Sequence, residues 1–281
     1  MHIIILSAWA HDRLPLPAIL DNLPRLLDNF AQRGLRPITL NKLHPMTAQF
    51  RRTLIDRAAQ PYSSAGHFAW HFAKGKLKGD PVFFGLLEHG LIPDCARLID
   101  LGCGQGLLAG WLLEARTLYE SGNWPAHWPA APKVENYWGL ELMPRDVERA
   151  RAALGNRAQF ELGDIRSAGL GQTDAAIILD VLHYLDYDAQ EDVLRRVRAA
   201  LPTGGLFITR IGDAAGGLPF YFSNWVDHAA FLLRGHRSYK VYCRTVSEWL
   251  DVLKCNGFEA APLPMHKGTP FVSVMLVAKA V

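Results

Sequence analysis

A run of alternating glycines between an apolar segment and a helical pattern constrains the fold of this chain most. Residues 96–110 (ARLIDLGCGQGLLAG) place Asp100 near the end of an apolar strand, followed by Gly102, Gly104 and Gly106. Glycine has no Cβ and adopts positive φ readily, so a ligand can approach the main chain closely there. The first N–H groups of the following helix lack partners within the helix and point toward such a ligand. A strand, a glycine loop and a helix in this order indicate a nucleotide-type cofactor site.

Three further apolar strands, predicted over 137–142, 158–164 and 174–180, each bring a carboxylate to their carboxyl end. Strands that alternate with helical patterns indicate a parallel sheet covered by helices. In such a sheet, ligands bind beside the carboxyl ends of the strands, so we expect these side chains to lie on one rim. The carboxylates of this predicted rim are Asp100, Glu141, Asp164 and Asp180.

The negative charge of this rim discriminates among cofactors. Like charges a few Å apart repel by about 1 kcal/mol in water, and by several times more where water is excluded. Four carboxylates therefore disfavour pyrophosphate ligands such as NAD, FAD or ATP. S-adenosylmethionine instead offers a ribose diol, an α-ammonium, an adenine amine and a sulfonium, and we predict it as the cofactor.

From about residue 96 to 281 the chain resembles the class I S-adenosylmethionine-dependent methyltransferases. The resemblance implies an α/β, Rossmann-like fold with a seven-stranded, mostly parallel sheet, helices on both faces and an antiparallel last strand. Helices before the first strand form an N-terminal helical cap in that family. The matching segments, in the expected order, are residues 99–106 (IDLGCGQG), 139–141 (GLE), 163–165 (GDI), 179–184 (LDVLHY), 201–208 (LPTGGLFI) and 256–258 (NGF).

The resemblance also implies roles for the residues of the rim. The methionine end of the cofactor is expected on the glycine loop, and Glu141 is expected to bind the ribose hydroxyls. Leu142 would pack on the adenine, or be a plain core residue, and Asp164 with Ile165 would contact the adenine edge. Asp164 also suits a helix N-cap. The complete predicted cofactor-binding set is Asp100, Gly102, Cys103, Gly104, Gly106, Glu141, Leu142, Asp164, Ile165 and Asp180.

Two residues after the fourth strand are candidates for proton transfer. Methyl transfer from a sulfonium is an in-line displacement, so the protein aligns the acceptor and, where needed, removes its proton. A general base adds about 10²–10⁴-fold to the rate. We predict His183 and Tyr184 as catalytic residues, because histidine titrates near neutral pH. The alternative is that His183 only packs on the cofactor or begins a helix.

Two aromatic segments, one in the cap and one after the fifth strand, are candidates for the acceptor pocket. Arg210 would pair with an acceptor carboxylate or simply balance Asp213. A pair of histidines at i, i+4 spacing without a neighbouring Glu is weak evidence for a metal, and we predict none. The predicted acceptor-binding residues are Tyr62, His67, His71, Arg210, Tyr221 and Trp225.

The segment DVLH at 180–183 stands where amino-methylating enzymes of nucleic acids carry an Asp/Asn-Pro-Pro-Tyr/Phe signature. It resembles the segment of small-molecule O- and C-methyltransferases. We therefore predict a methyltransferase for a small aromatic, quinol-like or acyl-type acceptor. Two alternatives remain: a non-catalytic cofactor-binding subunit of a biosynthetic complex, and an NAD-linked dehydrogenase. The latter requires GxGxxG, and here the third glycine comes one position early.

The composition restricts which partners and which cellular compartment we expect for this protein. A net charge of +3 without a Lys/Arg run argues against nucleic acid as a partner. The four cysteines show no CxxC pairing, which favours a reduced, cytoplasmic compartment. The apolar start at 2–9 lacks a charged leader and predicts a strand rather than a secretory signal. No segment approaches the ~20 apolar residues of a membrane span.

The chain is expected to have three parts. These are an accessory strand–helix–strand segment (1–45), a helical cap (46–95) and the S-adenosylmethionine-binding domain (96–281). Within the last part, a Pro/Trp-rich insertion at 119–132 joins a helix to the next strand, at the rim opposite the cofactor. Its residues Trp124 and Trp128 either pack against the domain or contact a partner.

Overall fold

The computed structural model describes residues 45–212, 214, 241–264 and 273–281. Contacts divide the chain into a unit of residues 1–38 and a unit of residues 39–281, and all described residues belong to the second. Nearly all of the predicted accessory segment lies outside the described residues, and so do Asp213, Tyr221 and Trp225. The predicted cap and the predicted methyltransferase domain both fall within the second unit, and their mutual boundary stays a prediction.

Seven strands form one sheet in the order β3-β2-β1-β4-β5-β7-β6. Strands β1 to β5 are parallel, whereas β7 runs antiparallel to both β5 and β6. The predicted α/β Rossmann-like sheet with an antiparallel carboxyl-terminal hairpin is thus confirmed. The strands are β1 (Cys95–Leu101), β2 (Val134–Glu141), β3 (Gln159–Leu162), β4 (Ala175–Leu179), β5 (Leu206–Gly212), β6 (Phe258–Pro264) and β7 (Ser273–Ala280).

Helices cover both faces of the sheet. Ile99 and Trp249 belong to a buried cluster that joins one face to α6 and α7. On the other face, Gly106 at the start of α4 lies against the ring of Phe160 on β3 and close to Ala150 of α5. The described helices are α1 (Pro45–Ala59), α2 (His67–Gly79), α3 (Pro81–Glu88), α4 (Leu107–Glu120), α5 (Pro144–Leu154), α6 (Tyr187–Ala200) and α7 (Val246–Cys255).

The first three helices form the predicted helical cap. Trp111 of α4 is fully buried and donates its indole N–H to the carbonyl of Phe83 on α3, at 2.8 Å. Ser64, between α1 and α2, donates its hydroxyl to the carbonyl of Ala152 on α5, at 3.0 Å. The cap therefore packs on the helices that cover one face of the sheet.

The Pro/Trp-rich insertion packs against the cap. The rings of Trp124 and Trp128 each lie 5.3 Å from the ring of Phe50 on α1, edge to face. Trp128 is 9% exposed. The insertion joins the end of α4 to the start of β2, at the edge opposite the carboxyl ends of the strands, as predicted. Of the two interpretations given to it, packing against the domain is the one that the structure shows.

Among the described helices, none has both the length and the apolar character that crossing a membrane requires.

Candidate active site

The glycine loop after β1 combines close packing with one open position. Gly102, Gly104 and Gly106 all have positive φ, at 81°, 55° and 71°. A Cβ on Gly102 would lie 2.2 Å from Val181 Cγ2, and a Cβ on Gly106 would lie 2.6 Å from the ring of Phe160. A Cβ on Gly104 would meet no atom within 4 Å in the part of the chain that the structure describes. Two of the glycines are thus required by packing, and the third leaves its backbone accessible.

Glu141 lies beside this open position at the end of β2. Its Oε2 accepts a hydrogen bond from the N–H of Gly104 at 2.8 Å, and its Oε1 accepts one from the N–H of Met143 at 2.9 Å. An ionised carboxylate offers about four acceptor sites, so each oxygen retains capacity for another donor. The carboxylate is therefore fixed in place and still able to accept hydrogen bonds from hydroxyl groups.

Leu142 follows directly and is 58% exposed. This exposure excludes the interpretation of Leu142 as a core residue. Ile165, the other apolar residue predicted to contact the adenine, is buried. Asp164 begins a turn: its backbone carbonyl accepts from Ser167, and its side chain accepts the N–H of Arg166 at 2.9 Å. The alternative of a helix N-cap for Asp164 is therefore wrong, because a turn follows it.

Asp100 lies beneath the glycine loop rather than on its surface. Its buried carboxylate accepts a hydrogen bond from the hydroxyl of Tyr137 on β2. Burial, aided by the charge of Glu141 and opposed by the Tyr137 hydrogen bond, raises the pKa of Asp100 to about 7. Burial also raises the pKa of the Cys103 thiol well above its ordinary value, so the thiol is protonated. Cys103 packs against Gly139, where a Cβ would clash with its sulfur at 2.7 Å, so its side chain fills the space behind the glycine loop.

Asp180 follows β4 and is ion-paired. Arg210 of β5 donates from Nε to Asp180 Oδ1 at 2.7 Å and also bonds the second carboxylate oxygen through Nη2. The same guanidinium bonds Asp80 of the cap, and its side chain is 6% exposed. With two protein carboxylates on it, Arg210 is poorly placed for the predicted pairing with an acceptor carboxylate. The sequence analysis missed Asp80, because its partner Arg210 lies 130 residues away along the chain.

The four predicted carboxylates do lie at the carboxyl ends of the four neighbouring strands β3, β2, β1 and β4. Their free charge is smaller than expected, however. Arg166 bonds Asp164 and lowers its pKa, Arg210 pairs with Asp180, and Asp100 is buried. The prediction of a rim with four free charges is therefore wrong, because the fold supplies two arginines that the strand pattern does not reveal. Glu141 is left as the accessible acceptor of the rim.

His183 lies on a short 3-10 helix, Leu182–Tyr184, directly after Asp180 and Val181. Its Nε2 is buried and has no hydrogen-bond partner among the described residues. Burial, with a contribution from Arg210 and against the charge of Asp180, lowers the pKa of His183 below its ordinary value of 6.5. The imidazole is therefore neutral at neutral pH. The ring of Tyr184 lies 4.0 Å from the ring of His183.

The cap residues predicted for the acceptor lie in two environments. Tyr62 is fully buried, and its hydroxyl faces Gly110 of α4, where a Cβ would lie 3.4 Å away. His67 and His71 are exposed on α2, with their Nε2 atoms 2.9 Å apart. The described part of the chain holds no group of three or more metal-ligating side chains. Contacts of these residues with an acceptor stay predictions.

The sheet order and the glycine loop are those of an α/β, Rossmann-like fold with a cofactor-type loop after its first strand. A family model described as a methyltransferase domain matches residues 18–260, which is more than half of the chain. The chain therefore belongs to the methyltransferase-domain family. This finding confirms the predicted class I methyltransferase.

Solved structures show the same fold. An O-methyltransferase family protein from Burkholderia thailandensis matches with a TM-score of 0.54 and 18% identity, over 94% of this chain and 69% of that chain. The pyocyanin biosynthetic protein PhzM matches with a TM-score of 0.54 and 19% identity, over 75% of this chain and 58% of that one. Human N-acetylserotonin methyltransferase in complex with SAM matches with a TM-score of 0.50 and 15% identity, over 94% and 70%. No curated protein matches in sequence.

Proposed function

We propose that this protein transfers a methyl group from S-adenosylmethionine to oxygen or carbon of a small aromatic, quinol-like or acyl-type acceptor. One observation carries the proposal: the open backbone of Gly104 lies beside the fixed carboxylate of Glu141 at the carboxyl edge of the sheet. Membership of the methyltransferase-domain family supports the reaction class.

The residues at this edge fit the groups of S-adenosylmethionine. Glu141 retains acceptor capacity for ribose hydroxyls, and the exposed Leu142 beside it offers an apolar surface for the adenine. The open backbone at Gly104 admits the methionine end close to the main chain. When bound, the cofactor supplies an electrophilic methyl group. Asp164 would have to share its carboxylate with Arg166, which makes its contact with the adenine the weakest part of the proposed set.

His183 is suited to remove a proton from an acceptor hydroxyl. A base must be unprotonated at the working pH and have a nitrogen without a hydrogen-bond partner. Burial keeps the imidazole of His183 neutral, and among the described residues no group bonds its Nε2. The negative charge of Asp180 favours the imidazolium that forms, whereas Arg210 opposes it. The ring of Tyr184 contacts the imidazole at an interplanar angle of 54° and helps to fix the orientation of the His183 ring.

The class of acceptor rests on chemistry and on likeness of fold. Neutral-imidazole catalysis suits a phenol or enol, whose proton a base near neutrality can remove. Two proteins of similar fold are described as pyocyanin biosynthetic and as an N-acetylserotonin methyltransferase. Both descriptions refer to small aromatic molecules, which supports an aromatic acceptor here.

The proposal is tested by incubating the purified chain with methyl-labelled S-adenosylmethionine and a panel of catechols, hydroxybenzoates and quinol precursors. We expect labelled product from at least one phenolic acceptor, and turnover reduced by about 10²–10⁴-fold in His183→Ala. His127→Ala, at an exposed histidine of the insertion, is the matched control and should turn over normally. Cofactor binding without transfer to any acceptor would favour the non-catalytic subunit, and binding of NADH would favour the dehydrogenase.

A further inference from the structure

A buried ionic cluster connects the cap to the carboxyl edge of the sheet. Asp80 separates α2 from α3 and is 9% exposed, and Arg210 of β5 is 6% exposed. The two residues are 130 positions apart in sequence, yet two hydrogen bonds join them, at 2.5 and 2.7 Å. The cluster lies outside the set of residues to which the cofactor was assigned, apart from Asp180.

Every acceptor site of Asp80 has a donor. Its Oδ1 accepts from the N–H of Val82, at 3.0 Å, and from Arg210 Nη1. Its Oδ2 accepts from Arg210 Nη2 and lies 2.8 Å from Nζ of Lys76. Burial works to raise the pKa of Asp80, but its hydrogen bonds and the charges of Arg210 and Lys76 outweigh burial and keep it ionised. Arg210 is thus held from the cap side by a full negative charge.

The other side of Arg210 holds Asp180 in an unusual backbone conformation. Among the described residues, Asp180 is the non-glycine residue with positive φ, at 58°. L-residues rarely adopt this conformation, and it persists where surrounding contacts enforce it. The hydrogen bonds from Arg210 to both carboxylate oxygens are such contacts.

The backbone turn at Asp180 determines where the candidate base lies. Val181 follows and packs against Gly102 of the glycine loop, and His183 follows two residues later. The segment 180–184 is therefore fixed between Arg210 on one side and the glycine loop on the other. A shift of Arg210 would move both contacts at once.

We propose that Asp80 is a positioning residue: through Arg210 and Asp180, this cap residue holds the segment 180–184 and thereby His183 in its working position. The proposal rests on the proposed function, in which His183 is the base. It couples the seating of the cap to the assembly of the catalytic segment, so that His183 is correctly placed only when the cap is docked.

Asp80→Asn separates this role from the role of Asp80 as a helix cap. Asparagine is about as good an N-cap as aspartate, so the start of α3 is kept while the charge on Arg210 is lost. Asp192→Asn is the matched control, since Asp192 is also paired with arginines but lies on the exposed side of α6. Arg210→Lys, which keeps the charge and loses the planar fork, is the second variant should Asp80→Asn fail to fold.

The first measurement is amide hydrogen exchange in segment 180–185, where the N–H groups of Tyr184 and Leu185 are bonded within the short helix. We expect exchange about tenfold faster or more in Asp80→Asn, as for the loss of a charge-assisted hydrogen bond, and no change in Asp192→Asn. Exchange that rises only in α3, or nowhere, would overturn the proposal. Exchange does not require methyl transfer, so this result stands even if the wild type proves inactive and the proposed function fails.

The second measurement is kinetic. In Asp80→Asn we expect kcat to fall about tenfold or more, and the Kd of S-adenosylhomocysteine to rise by a smaller factor, because Asp180 also belongs to the predicted cofactor set. A merely structural role would lower kcat and cofactor affinity together, through loss of folded protein. Normal kcat, or equal losses of kcat and cofactor affinity, would contradict a positioning role.

Discussion

Substitution of Gly104 by alanine tests whether the open backbone is a ligand site. A methyl group at this position meets no atom of the described residues within 4 Å, so this part of the fold has room for it. The φ of 55° is the remaining cost, and left-handed backbone costs a non-glycine residue about 1–2 kcal/mol. A ligand seated on the main chain would in addition meet the methyl directly.

The expected loss of affinity follows from two contributions. Forcing the added methyl into the contact between ligand and main chain costs about 1–3 kcal/mol. Losing a hydrogen bond between the main chain and a charged group of the ligand costs about 1.5–3 kcal/mol. Since 1.4 kcal/mol is tenfold in affinity, either contribution raises the Kd of S-adenosylhomocysteine by roughly 10- to 100-fold. Isothermal titration of the variant against the wild type measures this change, and urea unfolding measures the stability.

Gly122→Ala is the matched control for Gly104→Ala. Gly122 also has positive φ, at 74°, and a Cβ there meets nothing within 4 Å, but it follows α4 at the opposite edge of the sheet. Both variants should lose a similar free energy of unfolding, and only Gly104→Ala should lose affinity. Wild-type affinity in Gly104→Ala would refute the assignment of the glycine loop to the cofactor.

Three further outcomes are expected. Because the pKa of His183 is lowered, kcat/KM should be constant at high pH and should fall as the pH drops through a value below 6.5. His183→Ala should abolish this acidic fall in kcat/KM without changing the affinity for S-adenosylhomocysteine. If the fall persists in His183→Ala, His183 is not the base. The raised pKa of Asp100 means that folding takes up a proton, so its contribution is full below pH 3.8 and is lost as the pH rises through about 7. Urea unfolding of Asp100→Asn should therefore show stability relative to the wild type that grows between about pH 4 and 8, and a constant difference would refute the raised pKa. Trp128→Ala should cost about 3–5 kcal/mol in unfolding free energy with normal cofactor affinity in the folded protein, whereas unchanged stability would indicate a contact surface rather than packing.

The sequence was informative where the signal is local. The apolar strands and the glycine loop each depend on neighbouring residues, and both were predicted near their observed positions. The seven-stranded, mostly parallel sheet with its antiparallel last strand was expected from the family resemblance. The carboxylates lie at one edge because parallel strands end there together. The exposure of Leu142 agrees with its predicted place beside the cofactor rather than in the core.

The sequence did not show which carboxylates of the rim are neutralised or buried by other side chains. Arg210 meets Asp80 across 130 residues, and no periodicity reports such a pair. Asp164 and Arg166 are close in sequence, yet whether an exposed arginine folds back on a carboxylate depends on the turn between them. The burial of Asp100 behind the loop likewise depends on Tyr137 of the neighbouring strand. Spacing therefore located the rim correctly and overestimated its free charge.

The most direct test of whether Gly104 and Glu141 form the S-adenosylmethionine site is titration of the full chain with the demethylated product S-adenosylhomocysteine and, separately, with NADH. We predict saturable binding of S-adenosylhomocysteine that Glu141→Ala weakens by about tenfold or more, the loss expected for a carboxylate that accepts from ribose hydroxyls, and no binding of NADH. Binding of NADH, or affinity for S-adenosylhomocysteine that is independent of Glu141, would contradict it.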